Sequence, residues 1–343
     1  MTEVNANTLY ITTPDVWIHH ELEVIKIEKD KKTIFSVPIH HVEAITILGY
    51  SSVSPSLMRK CLERGVSISF LTENGRFLGR VEGATSGNVL LRREQYRKAD
   101  DATFCAKFSR YIVAGKIQNC RSSILRSARE DEDECRCMAL KDTAQKLEKN
   151  LKRLEFLTDA DEIRGLEGDT AHLYFSMFEN CIRQQREDFD FQKRSKHPPR
   201  SRSNALLSFF YAILTNDCVS ALQATGLDPY VGFLHKDRPG RPSLALDLVE
   251  EFRAFGDRLV LTMINRKQVT ADSFEQREGG VVLLKPESRK AVLKEYQNRK
   301  QDVLTHHYFN RPCRLAEAPL LQARLMAKFI RGELDWYPPF IWR

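Results

Sequence analysis

The first part of the chain alternates short apolar segments with turn residues. Segments 24–27 and 33–37 flank the charged turn 29–32, a pattern typical of a β-hairpin. Segments 66–71 and 77–81 flank an Asn-Gly pair, which is a strong signal for a tight hairpin turn. These patterns predict several strands.

A short helix is predicted among these strands. Ser54-Pro55 has the composition of a helix start, and Gly65 can end the helix, which places it over 55–64. We therefore predict a β-rich domain over residues 1–90.

The period of the apolar positions changes after the Gly- and Ser-containing connection 83–87. Phe104, Phe108 and Ile112 recur every four residues, which predicts an amphipathic helix. We place Lys107, Arg110 and Lys116 at other angles of that helix. Further helices are predicted over 138–156, 162–184, 202–224, 243–256, 287–300 and 316–332, with a short strand or hairpin arm over 281–284. The expected class is α+β, with a mainly α-helical domain over 91–343.

Composition is that of a folded protein that can approach a polyanion. Hydrophobic residues make up 42% of the 343 positions, and 53 Lys plus Arg against 46 Asp plus Glu give a net charge of +7. The amino terminus lacks a signal-peptide pattern, and the apolar run 205–214 is about half of the roughly 20 residues that a membrane span needs. We expect a soluble, cytoplasmic protein with no membrane partner.

The segment from Gly226 to Arg253 carries the most informative chemistry. Helix-breaking residues place His235 in a connection, and Ser243 is a plausible N-cap for the next helix. On that helix Asp247 and Glu250 lie one turn apart beside an apolar face, so we expect them at the edge of the core. Imidazole and carboxylate ligands suit Mg²⁺ or Mn²⁺, and the nearby Arg238 and Arg241 could hold a phosphate.

A further carboxylate is expected for such a metal. Glu167 is the best upstream candidate, because it would share a helix face with Ala171 and Tyr174 while Gly165 and Gly168 leave room beside it. Spacing alone leaves Asp169 almost equally good. The alternative for all these acids is an ordinary solvated helix face.

Two basic sets suggest a phosphate backbone as ligand. The first is a loop interrupted by two prolines, and it contains Lys193, Arg194, Lys196, Arg200 and Arg202. The second contains Lys285, Arg289, Lys290, Lys294, Arg299 and Lys300. A solvated basic loop without a ligand is the alternative for the first set.

Four segments together resemble the CRISPR-associated adaptation integrase, the metal-dependent DNA endonuclease family that inserts new spacers. They are LEGDTAHLYF, RSRSNALLSFFYAIL, GLDPYVGFLH and SLALDLVEEFR, in the order typical of that family. The amino-terminal pattern from NTLYI to GRFLGRVEG resembles its β-rich domain, so the likeness spans nearly the whole chain. The variety that accompanies type I-C interference genes is the most similar.

This resemblance implies a site and partners. It implies a Mg²⁺ or Mn²⁺ site made by Glu167, His235 and Glu250, with Asp247 in a supporting role; many relatives have aspartate where Glu250 stands. It also implies action on duplex, branched and end-bearing DNA, a homodimer formed through the β-rich domains, and a small second adaptation protein that bridges two dimers.

Other interpretations stay open at this point. A non-catalytic DNA-binding scaffold would use the basic residues alone. A small-molecule phosphatase would leave them unused, and the sequence has no Gly-rich phosphate loop for such an activity. The aromatic segment 336–342 could be a core plug or a docking peptide, and His306 and His307 have no assigned role.

Overall fold

The computed structural model describes residues 7–83, 88–195 and 198–342. Internal contacts divide the chain into two compact units. Unit 1 comprises Met1–Ser86, Leu284–Val303 and Arg314–Glu317, and unit 2 comprises Gly87–Leu283, Leu304–Cys313 and Ala318–Arg343. The predicted class is confirmed, because strands dominate the amino-terminal part and helices the remainder. Local patterning gave no sign that residues 284–303 return to unit 1.

The strands of the described residues are β1 (Thr8–Ile11), β2 (Trp17–Glu21), β3 (Val24–Lys29), β4 (Lys32–Pro38), β5 (Ala44–Leu48), β6 (Ser52–Val53), β7 (Ser67–Leu71), β8 (Phe77–Val81), β9 (Phe274–Arg277), β10 (Val281–Leu284), β11 (Val303–His306) and β12 (Arg311–Arg314). The α-helices are α1 (Pro55–Arg64), α2 (Val89–Asp100), α3 (Ala102–Glu130), α4 (Glu134–Leu154), α5 (Ala160–Ser176), α6 (Arg202–Ala224), α7 (Ser243–Asn265), α8 (Pro286–Lys300) and α9 (Ala318–Ile330).

Two four-stranded sheets and α1 build the amino-terminal part of unit 1. One sheet has the order β1-β5-β7-β8, parallel except for the antiparallel β7–β8 hairpin, and the other has the order β4-β3-β2-β6. Ile18, Ile25, Ile47 and Leu57 are among the buried side chains of their shared core. Both predicted hairpins are confirmed. The 55–64 helix is confirmed as well, because Ser54 Oγ accepts the cap hydrogen bond that the sequence indicated.

Helix α3 is central to unit 2, where it packs against α4, α5 and α7, while α6 packs against α7 and α9. Its start is fixed by Asp101, whose carboxylate accepts the Thr103 and Phe104 backbone N–H groups. Helix α6 is long and apolar enough to cross a membrane, but most of its apolar stretch is buried, as in the core helix of a soluble protein.

The aromatic segment 336–342 is a core plug of unit 2. The Tyr337 and Phe340 side chains are fully buried, and the Asn119 side chain on α3 binds the Phe340 carbonyl at 2.8 Å. Gly115 makes this packing possible, because a Cβ atom there would lie 2.7 Å from Cβ of Pro339.

Two helix ends differ most from the expectations. Helix α7 continues to Asn265, well beyond residue 256, because its apolar face stays buried throughout. The helix predicted over 162–184 ends at Ser176 and gives way to a short 3-10 turn.

Candidate functional site

Two helices and one loop of unit 2 bring the predicted residues together. Glu167 lies on α5, Glu250 lies on α7, and His235 lies in the connection between α6 and α7, as predicted. His235 Nε2 is 3.8 Å from Glu250 Oε1. Glu167 joins them through Lys116 of α3, whose ammonium contacts Glu167 Oε1 and lies 2.7 Å from Glu250 Oε2.

Asp247 organises the loop that carries His235. Its Oδ2 accepts the backbone N–H groups of Phe233 at 2.7 Å and Leu234 at 3.0 Å. Its Oδ1 accepts the His235 N–H at 2.9 Å and lies 2.7 Å from the His235 Nδ1 atom. One carboxylate therefore fixes both the backbone turn and the imidazole, and it leaves Nε2 to face Glu250.

Close approach of the loop to α7 requires Gly232. A Cβ atom at this position would lie 2.8 Å from the Ser243 backbone and 3.0 Å from Asp247 Oδ2. Ser243 is not the N-cap that we predicted. It is the first residue of α7, Pro242 precedes it as the cap, and the Ser243 hydroxyl instead donates to the Lys236 carbonyl at 3.2 Å. That hydrogen bond closes the loop onto the helix.

Three side chains from other helices bind the carbonyls of the same loop. Gln95 of α2, which is fully buried, donates to the Asp228 and Val231 carbonyls at 2.8 and 2.9 Å. Ser109 of α3 and Arg164 of α5 donate to the next two carbonyls, those of residues 233 and 234. The site therefore rests on contacts from α2, α3, α5 and α7, most of which sequence patterning could not locate.

Asp247 and Glu250 of α7 are buried completely, not at the edge of the core as expected. Burial would raise the pKa of Glu250, but the positive charges of Arg253 and Lys116 outweigh it and lower the pKa to about 2. Arg253 Nη2 lies 2.8 Å from Glu250 Oε1. Neighbouring cations therefore keep Glu250 ionised inside the protein.

Lys116 is the principal site residue that the sequence analysis missed. We placed it away from the apolar face of α3, but the structure buries it on that face, with its side chain only 5% exposed. Its position continues the four-residue spacing of Phe104, Phe108 and Ile112, so the signal was present. A lysine at a core position of a helix needs acidic partners, which Glu167 and Glu250 provide.

A cluster of buried polar side chains, in which Arg253 and Arg194 flank Tyr211, links the site to the basic loop. The Arg253 and Arg194 guanidinium carbons lie 4.9 and 5.3 Å from the centre of the Tyr211 ring. The Tyr211 hydroxyl donates to Asp257, whose pKa is raised by burial to about 6. Arg194 also donates to the Asn204 side chain at 2.8 Å, which ties the loop to α6.

The donor set fits a hard divalent cation in its chemistry. It offers carboxylate oxygens from Glu167 and Glu250 and the Nε2 atom of a histidine whose other nitrogen is held by Asp247, as is usual for a metal-binding histidine. Glu250 Oε2 is buried and accepts no well-oriented hydrogen bond, although Lys116 Nζ lies 2.7 Å away. Among the described residues, however, no three acidic, His or Cys side chains are already arranged around a metal position. The ammonium of Lys116 lies between the acids instead.

The predicted DNA-contacting residues divide into two groups. Lys193, Arg200, Arg238 and Lys290 are exposed, whereas Arg241 and Lys285 are partly buried. Others already have partners within the protein: Arg194 as above, Arg202 with the Asp188 carbonyl at 2.7 Å, and Arg289 with Glu73 at 3.1 Å. Lys196 lies outside the described residues.

The structure also shows where Asp169 and His306 lie. Asp169, the alternative to Glu167, is exposed, whereas Glu167 contacts Lys116. His306 is fully buried, and its Nε2 atom lies 3.1 Å from Oε1 of Gln322, which in turn donates to the plug residue Tyr337. His306 therefore packs in the core beside the plug.

Comparison with known proteins gives the family. The family model described as CRISPR associated protein Cas1 matches residues 9–298. CRISPR-associated endonuclease Cas1 1 of Chlorobaculum tepidum is 44% identical over 340 residues, with 99% of each chain covered. A protein of the same name from Moorella thermoacetica is 43% identical over 338 residues, with 98% of each chain covered. The chain belongs to the Cas1 family, as its motifs indicated; these matches do not distinguish the type I-C variety.

Solved structures share the fold. A casposase bound to an integration product superimposes with a TM-score of 0.81 at 20% identity, covering 96% of this chain and 93% of that chain. A Cas6-RT-Cas1–Cas2 complex gives a TM-score of 0.81 at 22% identity, covering 100% of this chain and 36% of that chain.

Proposed function

We propose that this Cas1 protein is a divalent-metal-dependent DNA endonuclease and integrase that inserts spacer DNA into a CRISPR array. The observation that carries the proposal is a chain of contacts among residues from two helices and one loop: Glu167 and Glu250 both contact Lys116, and His235 Nε2 lies 3.8 Å from Glu250 Oε1. One buried and one partly exposed carboxylate beside a histidine have the chemistry of a site for Mg²⁺ or Mn²⁺.

Glu167, Glu250 and His235 Nε2 would hold the metal ion. When bound, the ion would stabilise negative charge on a phosphodiester and lower the pKa of an attacking hydroxyl group. Asp247 orients His235 through Nδ1, and Arg253 keeps Glu250 ionised and in place. A 3′ hydroxyl as nucleophile would give integration, whereas water would give nicking.

The proposed substrates are duplex, branched and end-bearing DNA. The exposed side chains of Lys193, Arg200 and Arg238 belong to the same unit as the acids and would bind phosphates. We also propose a homodimer formed through the β-rich region and bridging of two dimers by a small second adaptation protein. The solved Cas6-RT-Cas1–Cas2 complex, in which a chain of the same fold is assembled with Cas2, supports that partner type. We place this assembly in the cytoplasm.

Glu250→Gln tests the catalytic proposal. It keeps the shape of the side chain but weakens it as a metal ligand, so strand transfer of a 3′-ended duplex into a branched target in Mn²⁺ should fall roughly a hundredfold, a loss of about 3 kcal/mol. DNA binding measured by fluorescence anisotropy should stay within about twofold. Glu148→Gln, which removes a surface carboxylate paired with Arg121, is the matched control. Undiminished strand transfer by Glu250→Gln would reject the site.

A non-catalytic scaffold remains the second candidate, because no metal position is already formed among the described residues. Absence of any product from the unaltered protein across a Mn²⁺ series would favour it. The two candidates share DNA binding. The joint change Lys193→Ala and Arg200→Ala should therefore flatten the dependence of log affinity on log salt by about 0.9 per lost phosphate contact on B-DNA in either case.

A further inference from the structure

Lys116 is a buried cation with two acidic neighbours from different helices. Its side chain is 5% exposed, that of Glu250 is 2% exposed, and that of Glu167 is 23% exposed. Its ammonium contacts Glu167 Oε1 and lies 2.7 Å from Glu250 Oε2. The side chain from α3 therefore joins α5 to α7 at the point where the proposed metal ligands meet.

Without a positive charge between them, the two carboxylates would repel each other in a poorly solvated place. Arg253 does not substitute for Lys116, because its guanidinium lies beside the other oxygen of Glu250, one turn along the same helix. The Lys116 ammonium contacts one oxygen of each carboxylate and is therefore the positive charge that balances this pair. The lysine therefore carries its charge where a metal ion would carry a larger one.

We infer that Lys116 is a positioning residue that acts as the internal cation of this site. It holds Glu167 and Glu250 together when no metal is bound, and a divalent cation must take over both carboxylates from it. Lys116 thereby weakens metal affinity and keeps the metal-free protein folded. This inference rests on the proposed metal site.

The contact geometry favours an exchangeable role over a permanent ion pair. Glu250 Oε2 has the Lys116 ammonium 2.7 Å away, whereas Arg253 lies beside the other oxygen, so displacement of one ammonium would free one carboxylate oxygen for another cation. Glu167 is partly exposed and can be reached from solvent. Asp247, by contrast, is saturated by backbone N–H groups and the imidazole and has nothing to exchange.

The test uses Lys116→Met, which keeps most of the volume and removes the charge. Binding of Mn²⁺ is followed by the electron paramagnetic resonance signal of the free ion, and thermal stability is measured in EDTA and in saturating Mn²⁺. Relative to the unaltered protein, the variant should bind Mn²⁺ about tenfold more tightly, because one repelling charge is gone. Its melting temperature should fall in EDTA and recover in Mn²⁺. The control is Arg121→Met, which removes another cation of α3, one that pairs with Glu148 of α4. This change should alter neither the Mn²⁺ affinity nor the stabilisation by Mn²⁺.

A double variant tests the metal-free role separately. Adding Glu167→Gln to Lys116→Met removes the repulsion that the first change leaves, so stability in EDTA should rise above that of Lys116→Met alone. If Lys116→Met unfolds in EDTA, refolding on addition of Mn²⁺ supports the inference, and failure to refold overturns it.

Several results would overturn the proposal. Equal or weaker Mn²⁺ binding by Lys116→Met would show that the lysine does not compete with the metal. If the double variant is less stable in EDTA than Lys116→Met, then Lys116 does not act by offsetting the repulsion between Glu167 and Glu250. If the unaltered protein binds no Mn²⁺ at all, the metal site itself fails, and this inference fails with it.

Discussion

Replacing Asp247 by asparagine should damage both the fold and the metal affinity of the site. The carboxylate is fully buried and receives three backbone N–H groups besides the His235 ring. Asparagine has the same shape but offers one oxygen, and its NH₂ group must face donors wherever it points. With the NH₂ group at the Oδ2 position, the hydrogen bonds from the Phe233 and Leu234 N–H groups are lost. At the Oδ1 position, the bond from the His235 N–H is lost, whereas the contact with Nδ1 is kept when that ring nitrogen accepts.

The magnitude follows from these lost interactions. Hydrogen bonds to a charged group contribute about 1.5 to 3 kcal/mol each, so the loss of one or two gives roughly 1.5 to 6 kcal/mol. The adjacent backbone cannot turn its donors to water, because Gly232 already packs against Ser243 at a distance that would exclude a Cβ atom. Loss of the orienting partner of His235 should also weaken Mn²⁺ affinity by about 10- to 100-fold.

Urea unfolding followed by circular dichroism at the helix band measures the first effect, and Mn²⁺ titration measures the second. Asp169→Asn on α5, where the side chain is exposed, is the matched control and should change stability by less than about 0.5 kcal/mol. A loss below about 1 kcal/mol for Asp247→Asn, with unchanged Mn²⁺ affinity, would refute the reasoning from its hydrogen bonds.

Two further changes test the packing and the buried charge of unit 2. Gly115→Ala should reduce the free energy of unfolding by about 1 to 3 kcal/mol in urea melts, because the new Cβ meets the rigid Pro339 ring at 2.7 Å and overpacking outweighs the gain in helix propensity; a more stable variant would contradict this. Burial raises the pKa of Asp257 from 3.8 to about 6. The contribution of this shift to the free energy of unfolding is therefore fully present below pH 4 and is lost as pH rises through 6. Between pH 4 and 7 the unaltered protein should therefore lose up to about 3 kcal/mol relative to Asp257→Asn, and parallel stability curves would rule this out.

The sequence predicted those features that depend on local chemistry. The hairpin turn at Asn74-Gly75, the capped helix α1 and the loop position of His235 all follow from turn and cap residues. The site residues followed from the pattern of acids and imidazole together with the resemblance, and the structure places Glu167 and Glu250 against Lys116 and His235 beside Glu250.

Features that depend on tertiary contacts could not be predicted in the same way. The burial of Asp247 follows from three N–H groups that a loop twelve to fourteen residues earlier supplies. Ser243 lost its expected capping role because its hydroxyl found the Lys236 carbonyl. Lys116 was a different failure, since its spacing already placed it on the apolar face of α3 and only its charge argued for the surface.

The interleaving of the two units has a consequence for synthesis. Arg289 of α8 binds the Glu73 carbonyl, and Asn119 of α3 binds that of Phe340, across 216 and 221 residues. Synthesis proceeds at roughly 5 to 20 residues per second, so at least about ten seconds pass between synthesis of the first partner of each hydrogen bond and synthesis of the second. During that interval Glu73 lacks its Arg289 partner, and the face of α3 at Gly115 lacks the Pro339 side chain that covers it in the finished protein.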